Sequence, residues 1–469
     1  MAGGEQTHIT AEAADFIEGV SFDALPVEAV RIARRCILDG LGLYVAGSAE
    51  DAVAMLAAEA ADQSGRPDAL ILTLGERRAP ASLAARVLGT AGHAHDWDDS
   101  QVSRDPRHAY GLLTHPTIPP LTAALVMAQR LGGVTGEALV AAFVAGVEVE
   151  CKLSEWMRTD HYRRGFHSSG TVGTFGAATA AAVLLGLRGR PLRSTLGLAA
   201  SFAAGLRCNF GTMTKPLHVG RAPENGVTAA LLAARGYEAD PEALDGPWGF
   251  LAVTGGGHYP EKPAQGFGRS WSIVDPGVSI KPYPCGIVTH QSMDAMLALV
   301  REHDIKPPEV EHIRFFAGSN ILDPIRYPVA ADHLQAKFSM AALLAMIVIA
   351  RRAGRAEFTD SFVQSTEMQD MQRRISCERD PAIEARGMDV IRSRIELTTR
   401  SGETFTRVAD ERYRGGPDRP MTDAELEEKT AACVAGILDD ARRQALIDAA
   451  WGVTGLADAA RLARVIQTG

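Results

Sequence analysis

The chain has 469 residues, 46% of them hydrophobic and 22% charged, with a formal net charge of −9. This globular balance excludes a disordered or fibrous protein, and the acidity excludes a broad nucleic-acid-binding surface. The six cysteines, Cys36, Cys151, Cys208, Cys285, Cys377 and Cys433, show no CxxC spacing, which argues against a zinc ribbon, an iron–sulfur cluster or a disulfide-stapled domain.

Helical periodicity runs from Glu12 to Leu43 through Phe16, Ile17, Val20, Val27, Val30, Ala33, Ile37 and Leu41. Further helices are predicted over Val53–Ala61, Ala81–Thr90, Pro119–Arg130, Thr135–Trp156, Val172–Leu187, Leu192–Ala204, Pro223–Arg235 and Pro241–Leu244. Ala69–Leu74 is the clearest strand-like run in this half. The first twenty residues are acidic and show no targeting signal, so a cytoplasmic protein is expected. Ser168 to Leu187 is the longest run free of charge and histidine; rich in Gly, Ala, Ser and Thr, it predicts a buried helix and not a membrane span. With 46 glycines and only 6% aromatics, the helices are expected to approach one another closely.

The character changes near Gly266, where Pro and Gly punctuate short β-prone pieces. Val310–Ala317 and Val390–Thr398 alternate as strands, and Ser401-Gly402 turns the second into Thr404–Val408 as a hairpin. His290–His303 and Ser339–Arg352 are helical, and helices return at Asp423–Leu438, Arg442–Ala450 and Ala457–Arg464. Thr422 to Glu425 fits a capping box. The fold class is therefore mostly α: a discontinuous all-helical domain over 1–268 and 410–469, and a smaller α+β domain over 269–409.

Five clusters carry chemistry. Gly92–Ser100 (GHAHDWDDS) gathers Asp96, Asp98 and Asp99 with His93 and His95, and His115 follows before a predicted helix. Carboxylates this close raise one another's pKa and suit proton transfer; the same residues could ligate a metal ion or cap the next turn. In Gly165–Thr171, His167 sits before a helix N-terminus, whose free N–H groups and dipole attract anions. In Gly211–Gly226, Pro223 fits the first helical position, so Lys215, His218 and Arg221 gather at a helix N-terminus. Positive charge is unfavourable there unless an anionic ligand reverses the effect; the alternative is a solvated loop or pairing with Glu224. In Lys281–Gly286 (KPYPCG), two prolines hold Lys281 and Tyr283 extended. Cys285 precedes a helix that would lower its thiol pKa, although a small buried residue is the favoured reading. Lys337 in Gln335–Ser339 begins an apolar helix and reads as a solvated helix-end lysine. No GxGxxG follows a strand and no GxxxxGK[ST] occurs, so a nucleotide cofactor lacks support.

In their order along the chain, HAHDWDDS (His93–Ser100), HPTIPPLTAAL (His115–Leu125), GFHSSGTVGTFGAATAAAVLLGL (Gly165–Leu187), NFGTMTKPLHVGRAPENGVTAALLAARG (Asn209–Gly236), KPYPCG (Lys281–Gly286) and AKFSMAALLA (Ala336–Ala345) resemble the MmgE/PrpD family. That family includes 2-methylcitrate dehydratase, cis-aconitate decarboxylase and iminodisuccinate epimerase. The resemblance implies a large helical domain, a smaller α+β lid, a homodimer, and a cofactor-free, metal-independent site in the cleft between the domains. It places the family's site pattern on Asp96, His115, His167, Lys215 and Lys281, with Ser100 where a threonine is common. Tyr327 falls near a tyrosine of the decarboxylases, and Gly286 stands where those carry a histidine. The stretch Gln101–Thr114 is longer than the family's usual connection and adds Arg104, Arg107, His108 and Tyr110.

The expected activity is a lyase that abstracts a proton α to a carboxylate and dehydrates a 2-methylcitrate-like hydroxy polycarboxylate. His115 is the expected acid or base with Asp96 orienting it, His167 a second acid–base contact, and Lys215 and Lys281 the carboxylate anchors. Ser100, His218, Arg221, Tyr283, Cys285 and Tyr327 are expected to contact the substrate. The alternatives are epimerisation of a dicarboxylate, cis-aconitate-type decarboxylation, binding of an anionic metabolite without turnover, and metal-dependent hydrolysis at His93, Asp96, Asp98 and Asp99.

Overall fold

The computed structural model describes residues 8–63, 65–105, 112–387 and 390–469. The chain is mostly helical, with strands concentrated in one four-stranded sheet. Two apolar cores run through the helices of the first 280 residues, and the tail joins the larger of them through Leu426, Cys433, Leu446 and Leu462. Helices Asp423–Val434 and Asp440–Trp451 pack against Val27–Gly47. The junction also carries a buried ion pair, Lys429 Nζ to Asp39 Oδ1 at 2.6 Å, and the same ammonium donates to the Trp97 carbonyl at 2.8 Å. The tail thus pins the loop that carries Asp96.

A separate core occupies residues 283–409, joined from the helical side by Phe210. Its sheet runs in the order Ile375–Arg379, Val310–Ala317, Ser393–Thr399, Thr404–Val408. The first pair is parallel, and the others are antiparallel with the expected hairpin. Ile375–Arg379 escapes periodicity because its five residues include two charges and bury only their first side chain. Thr422 and Glu425 form the expected capping box.

Close helix approach has a specific cause. A Cβ on Gly89 would stand 2.9 Å from the Val219 carbonyl oxygen, and one on Gly220 would stand 2.1 Å from Thr90 Oγ1. Only glycine lets Ala81–His93 and Thr214–Ala233 cross this tightly, and that crossing brings their site residues together. Ser168–Leu185 is long and apolar enough to cross a membrane, but here neighbouring helices enclose it and 78% of it is buried.

Four local expectations are corrected. The first helical stretch is two helices, Ile9–Gly19 and Val27–Gly47, separated at Pro26, whose ring cannot continue a helix. The helix expected to begin at Pro223 begins at Thr214 and holds Pro223 inside. Pro216 in its first turn supplies the tolerated position, because no N–H bond is lost there. Of Ala69–Leu74 only Ala69–Leu70 is a strand, and Pro241–Leu244 forms a turn.

Candidate active site

The site grows from the end of helix Ala81–His93. The chain leaves that helix through Asp96, whose φ of +52° is left-handed, a conformation that costs a non-glycine residue roughly 1–3 kcal/mol and persists only when its surroundings fix it. Two buried lysines provide that constraint. Lys281 Nζ lies 2.6 Å from Asp96 Oδ1 and 2.9 Å from the Asp96 carbonyl oxygen. Lys215 Nζ lies 3.0 Å from Oδ2. The two ammonium groups hold the Asp96 carboxyl well below its usual range against the burial that opposes ionisation. Two ammonium groups thus share the Asp96 carboxylate inside the protein.

Lys215 makes a second contact. Its ammonium donates to His93 Nε2 at 2.8 Å, while His93 Nδ1 meets Asp98 Oδ1 at 2.7 Å. Lysine can only donate, so Nε2 is the acceptor and the His93 proton sits on Nδ1, facing Asp98. Asp98, His93 and Lys215 therefore form a continuous chain of hydrogen bonds. The faces of Phe210 and Phe338 flank the same ammonium, each centroid 5.3 Å away.

His115 stands beside this chain, its ring 4.8 Å from that of His93. Its Nδ1 donates to the Asp99 carbonyl at 2.7 Å, with Ser100 Oγ at 3.1 Å, which leaves Nε2 as the free acceptor. Burial first, then the Lys281 charge, pushes its pKa down to about 3, so the imidazole is neutral. His167 caps helix Ser168–Leu185 with its backbone and places no side chain on the helix's first N–H groups. Its Nδ1 meets His218 Nδ1 at 3.1 Å, and burial keeps it neutral too.

These groups line one cavity between the helical domain and the 283–409 unit. Its polar side is built from Asp96, His115, His167, Ser169, Lys215 and Lys281. Its opposite side is Gly286, Ile287, Val288, Pro324, Ile325 and Phe338. All five residues on which the sequence places the catalytic pattern come together here.

The six expected substrate contacts do not line the cavity. Ser100 is fully buried and pairs with Ser279 as a β-bridge beneath His115. His218 supports His167 from behind. Arg221 is half exposed and pairs with Glu224 at 2.7 Å, because the earlier helix start turns it away from the face that carries Lys215. Tyr283 donates to Asp294 at 2.6 Å and stacks under Arg414. Cys285 contacts Thr289 and Met293, and burial pushes its thiol up to about 12, overriding the helix-end effect expected of it. Tyr327 donates to the Phe210 carbonyl at 3.3 Å and clamps that loop to the smaller unit. Arg104 pairs with Asp275 at the surface, and Arg107, His108 and Tyr110 lie outside the described residues.

Three supports fall outside the expected catalytic and substrate-contact residues. His93 and Asp98 hold Lys215, although a cluster this dense signalled them as candidates. Lys337 is buried, not solvated, and donates to the Ala94 carbonyl at 2.9 Å, two residues before Asp96. Glu150, wholly buried, accepts from Thr114 Oγ1, and burial pushes its carboxyl well above the usual range. Thr114 is a wall of the cavity.

His93, Asp96, Asp98 and His115 also lie close enough for a metal ion. The donor set does not suit one. The lone pair of His93 Nε2 and both Asp96 oxygens are taken by ammonium groups, which repel a cation.

The helical fold and its second, smaller α+β unit enclose an ammonium–imidazole cavity between them. The MmgE/PrpD N-terminal domain matches residues 11–262 and the C-terminal domain matches residues 283–452, so the chain belongs to the MmgE/PrpD family. It is 26% identical to a cis-aconitate decarboxylase of Mus musculus, covering 98% of this chain and 93% of that protein. It is also 26% identical to one of Homo sapiens (98% and 94%) and 23% identical to one of Aspergillus terreus (98% and 96%). These relatives support a lyase-type enzyme.

Proposed function

We propose that this protein is a lyase that breaks a bond next to a carboxylate of a small organic acid, using proton transfer at His115. The observation that carries the reading is Asp96 clamped between Lys215 and Lys281 beside the neutral His115, in one buried cavity. The ammonium groups attract the substrate carboxylate and stabilise the negative charge that develops on the adjacent carbon. The anion itself raises the pKa of the neighbouring imidazole, which lifts His115 from its low resting value into the range where it can exchange a proton. Lys215 is the second proton carrier: its ammonium can give a proton to the substrate, and its hydrogen bond to His93 orients it.

Two outcomes share these parts. In decarboxylation, the C–C electron pair stays on carbon as CO₂ leaves, and a proton is delivered to that carbon. In dehydration, His115 takes the α-proton, the C–H pair becomes the new double bond, and hydroxide leaves with a proton from Lys215. The decarboxylase names of the relatives favour the first. Dehydration of a 2-methylcitrate-like hydroxy acid is the second reading, because the Lys215 ammonium supplies the acid that a hydroxide leaving group needs. The test is NMR in D₂O over unsaturated and hydroxy di- and tricarboxylic acids. Loss of CO₂ or water with deuterium uptake is expected. Binding without either, and without exchange at the α-carbon, overturns the lyase reading in favour of a metabolite-binding protein.

A further inference from the structure

We infer that the substrate of this cavity is a dicarboxylate bearing an apolar branch, and that a third carboxylate is excluded. The inference rests on the lyase reading and narrows its substrate class to acids with two carboxylates, which sets aside a 2-methylcitrate-like substrate.

The cavity offers two places for negative charge. The first is at Lys215 and Lys281, whose ammonium groups line the cavity and flank Asp96. The second is the N-terminus of helix Ser168–Leu185. Ser168 and Ser169 line the cavity there, and no side chain caps the first N–H groups. His167, 3% exposed, stands at this end with Nδ1 committed to His218 and its other nitrogen left for a ligand.

Among the described residues, the wall contributed by 286–338 offers no side-chain donor to an anion. Ile287, Val288, Pro324, Ile325 and Phe338 present only carbon, and Gly286 presents no side chain. Lys337, the nearest further ammonium, is turned away onto the Ala94 carbonyl. A carboxylate pressed to this wall would lose its water and gain no donor, whereas a methyl or longer alkyl branch would gain contact. The cis-aconitate of the named relatives carries three carboxylates, so this chain is expected to differ from them in preference.

The test uses the full chain and three unreactive probes: succinate, methylsuccinate and tricarballylate, titrated by calorimetry. Methylsuccinate is expected to bind at least about tenfold more tightly than tricarballylate, with succinate between them. Ile325→Arg places a cation on the wall and is expected to reverse the order. Equal or tighter binding of tricarballylate to the wild-type protein overturns the inference, whether or not the variant folds. So does failure of all three acids to bind. Binding is read separately from turnover. A protein that prefers methylsuccinate yet shows no CO₂ loss, dehydration or exchange on any acid would sink the lyase reading and leave the ligand class standing.

Discussion

The Lys215 ammonium donates to His93 Nε2 at 2.8 Å, and this contact ties a cavity-lining cation to a buried carboxylate, Asp98, through a ring of fixed tautomer. The arrangement gives Lys215 two acceptors of different kinds, a carboxylate in Asp96 and a neutral imidazole in His93. Asp98→Asn removes the charge that fixes the ring and lets Nε2 carry the proton, directly opposing the ammonium. The kcat is expected to fall about 100-fold or more, with KM changed far less, and the kcat pH profile should shift. An unchanged pH profile would mean that the dyad only supports the fold.

His115→Gln keeps a neutral polar side chain of similar size but cannot exchange a proton. A kcat loss of about 100-fold or more is expected, with the melting temperature held, because the native imidazole is already neutral. Steady-state kinetics beside differential scanning calorimetry checks both halves.

Lys281→Met should damage stability as well as activity. It leaves Asp96 facing one ammonium where two now hold it, and breaking a buried pair costs roughly 3–5 kcal/mol. Chemical denaturation measures this loss directly. Adding Asp96→Asn to the variant is expected to recover part of the stability and none of the activity.

Glu150 separates a protonated carboxyl from an ionised one. Its carboxyl is pushed up by burial with no cation beside it among the described residues, so Glu150→Gln should fold and turn over nearly as the parent does. Glu150→Ala strands Thr114 and opens a void, at a cost of about 1–3 kcal/mol. A large loss in the Gln variant would show that Glu150 works as an ion.

Acid should unfold this protein early. His95 and His161 are held down to about 4 and His115 to about 3, and His93, His167, His218 and His290 are also lowered. A group with a depressed folded pKa contributes stability above its unfolded value and loses it as pH falls. Each fully titrating histidine therefore costs about 1.4 kcal/mol per pH unit below about 6.5. Asp99, raised to about 7, and the raised Asp39, Glu148 and Glu150 act in the opposite direction, because their folded forms keep a proton that the unfolded chain releases as pH rises. Counting also the lowered His258 and the raised Glu12 and Glu224, the lowered imidazoles outnumber the raised carboxyls. The melting temperature is expected to fall steadily from pH 6.5 to 4.5, and a flat profile would refute the neutral-histidine picture.

The amino-acid sequence by itself determined most of the secondary structure. Apolar side chains recurring every three or four residues mark helices such as Gly136–Trp156, and alternation marks Val310–Ala317, because local geometry dictates those periods. It also supplied the motif order that identified the family and the five residues that meet in the cavity. Tertiary structure decided which neighbours of those residues turn inward. Lys281 reaches Asp96 across 185 positions and Lys215 reaches His93 across 122, distances over which periodicity carries no information. Local signals at Arg221, Tyr283 and Cys285 suggested substrate contact, yet a helix start nine residues earlier, a nearby aspartate and complete burial assign them elsewhere. The small residues so abundant in the sequence foretold close helix approach. Only the fold showed that Gly89 and Gly220 spend it on one crossing, where the absence of two side chains sets the distance between His93 and Lys215.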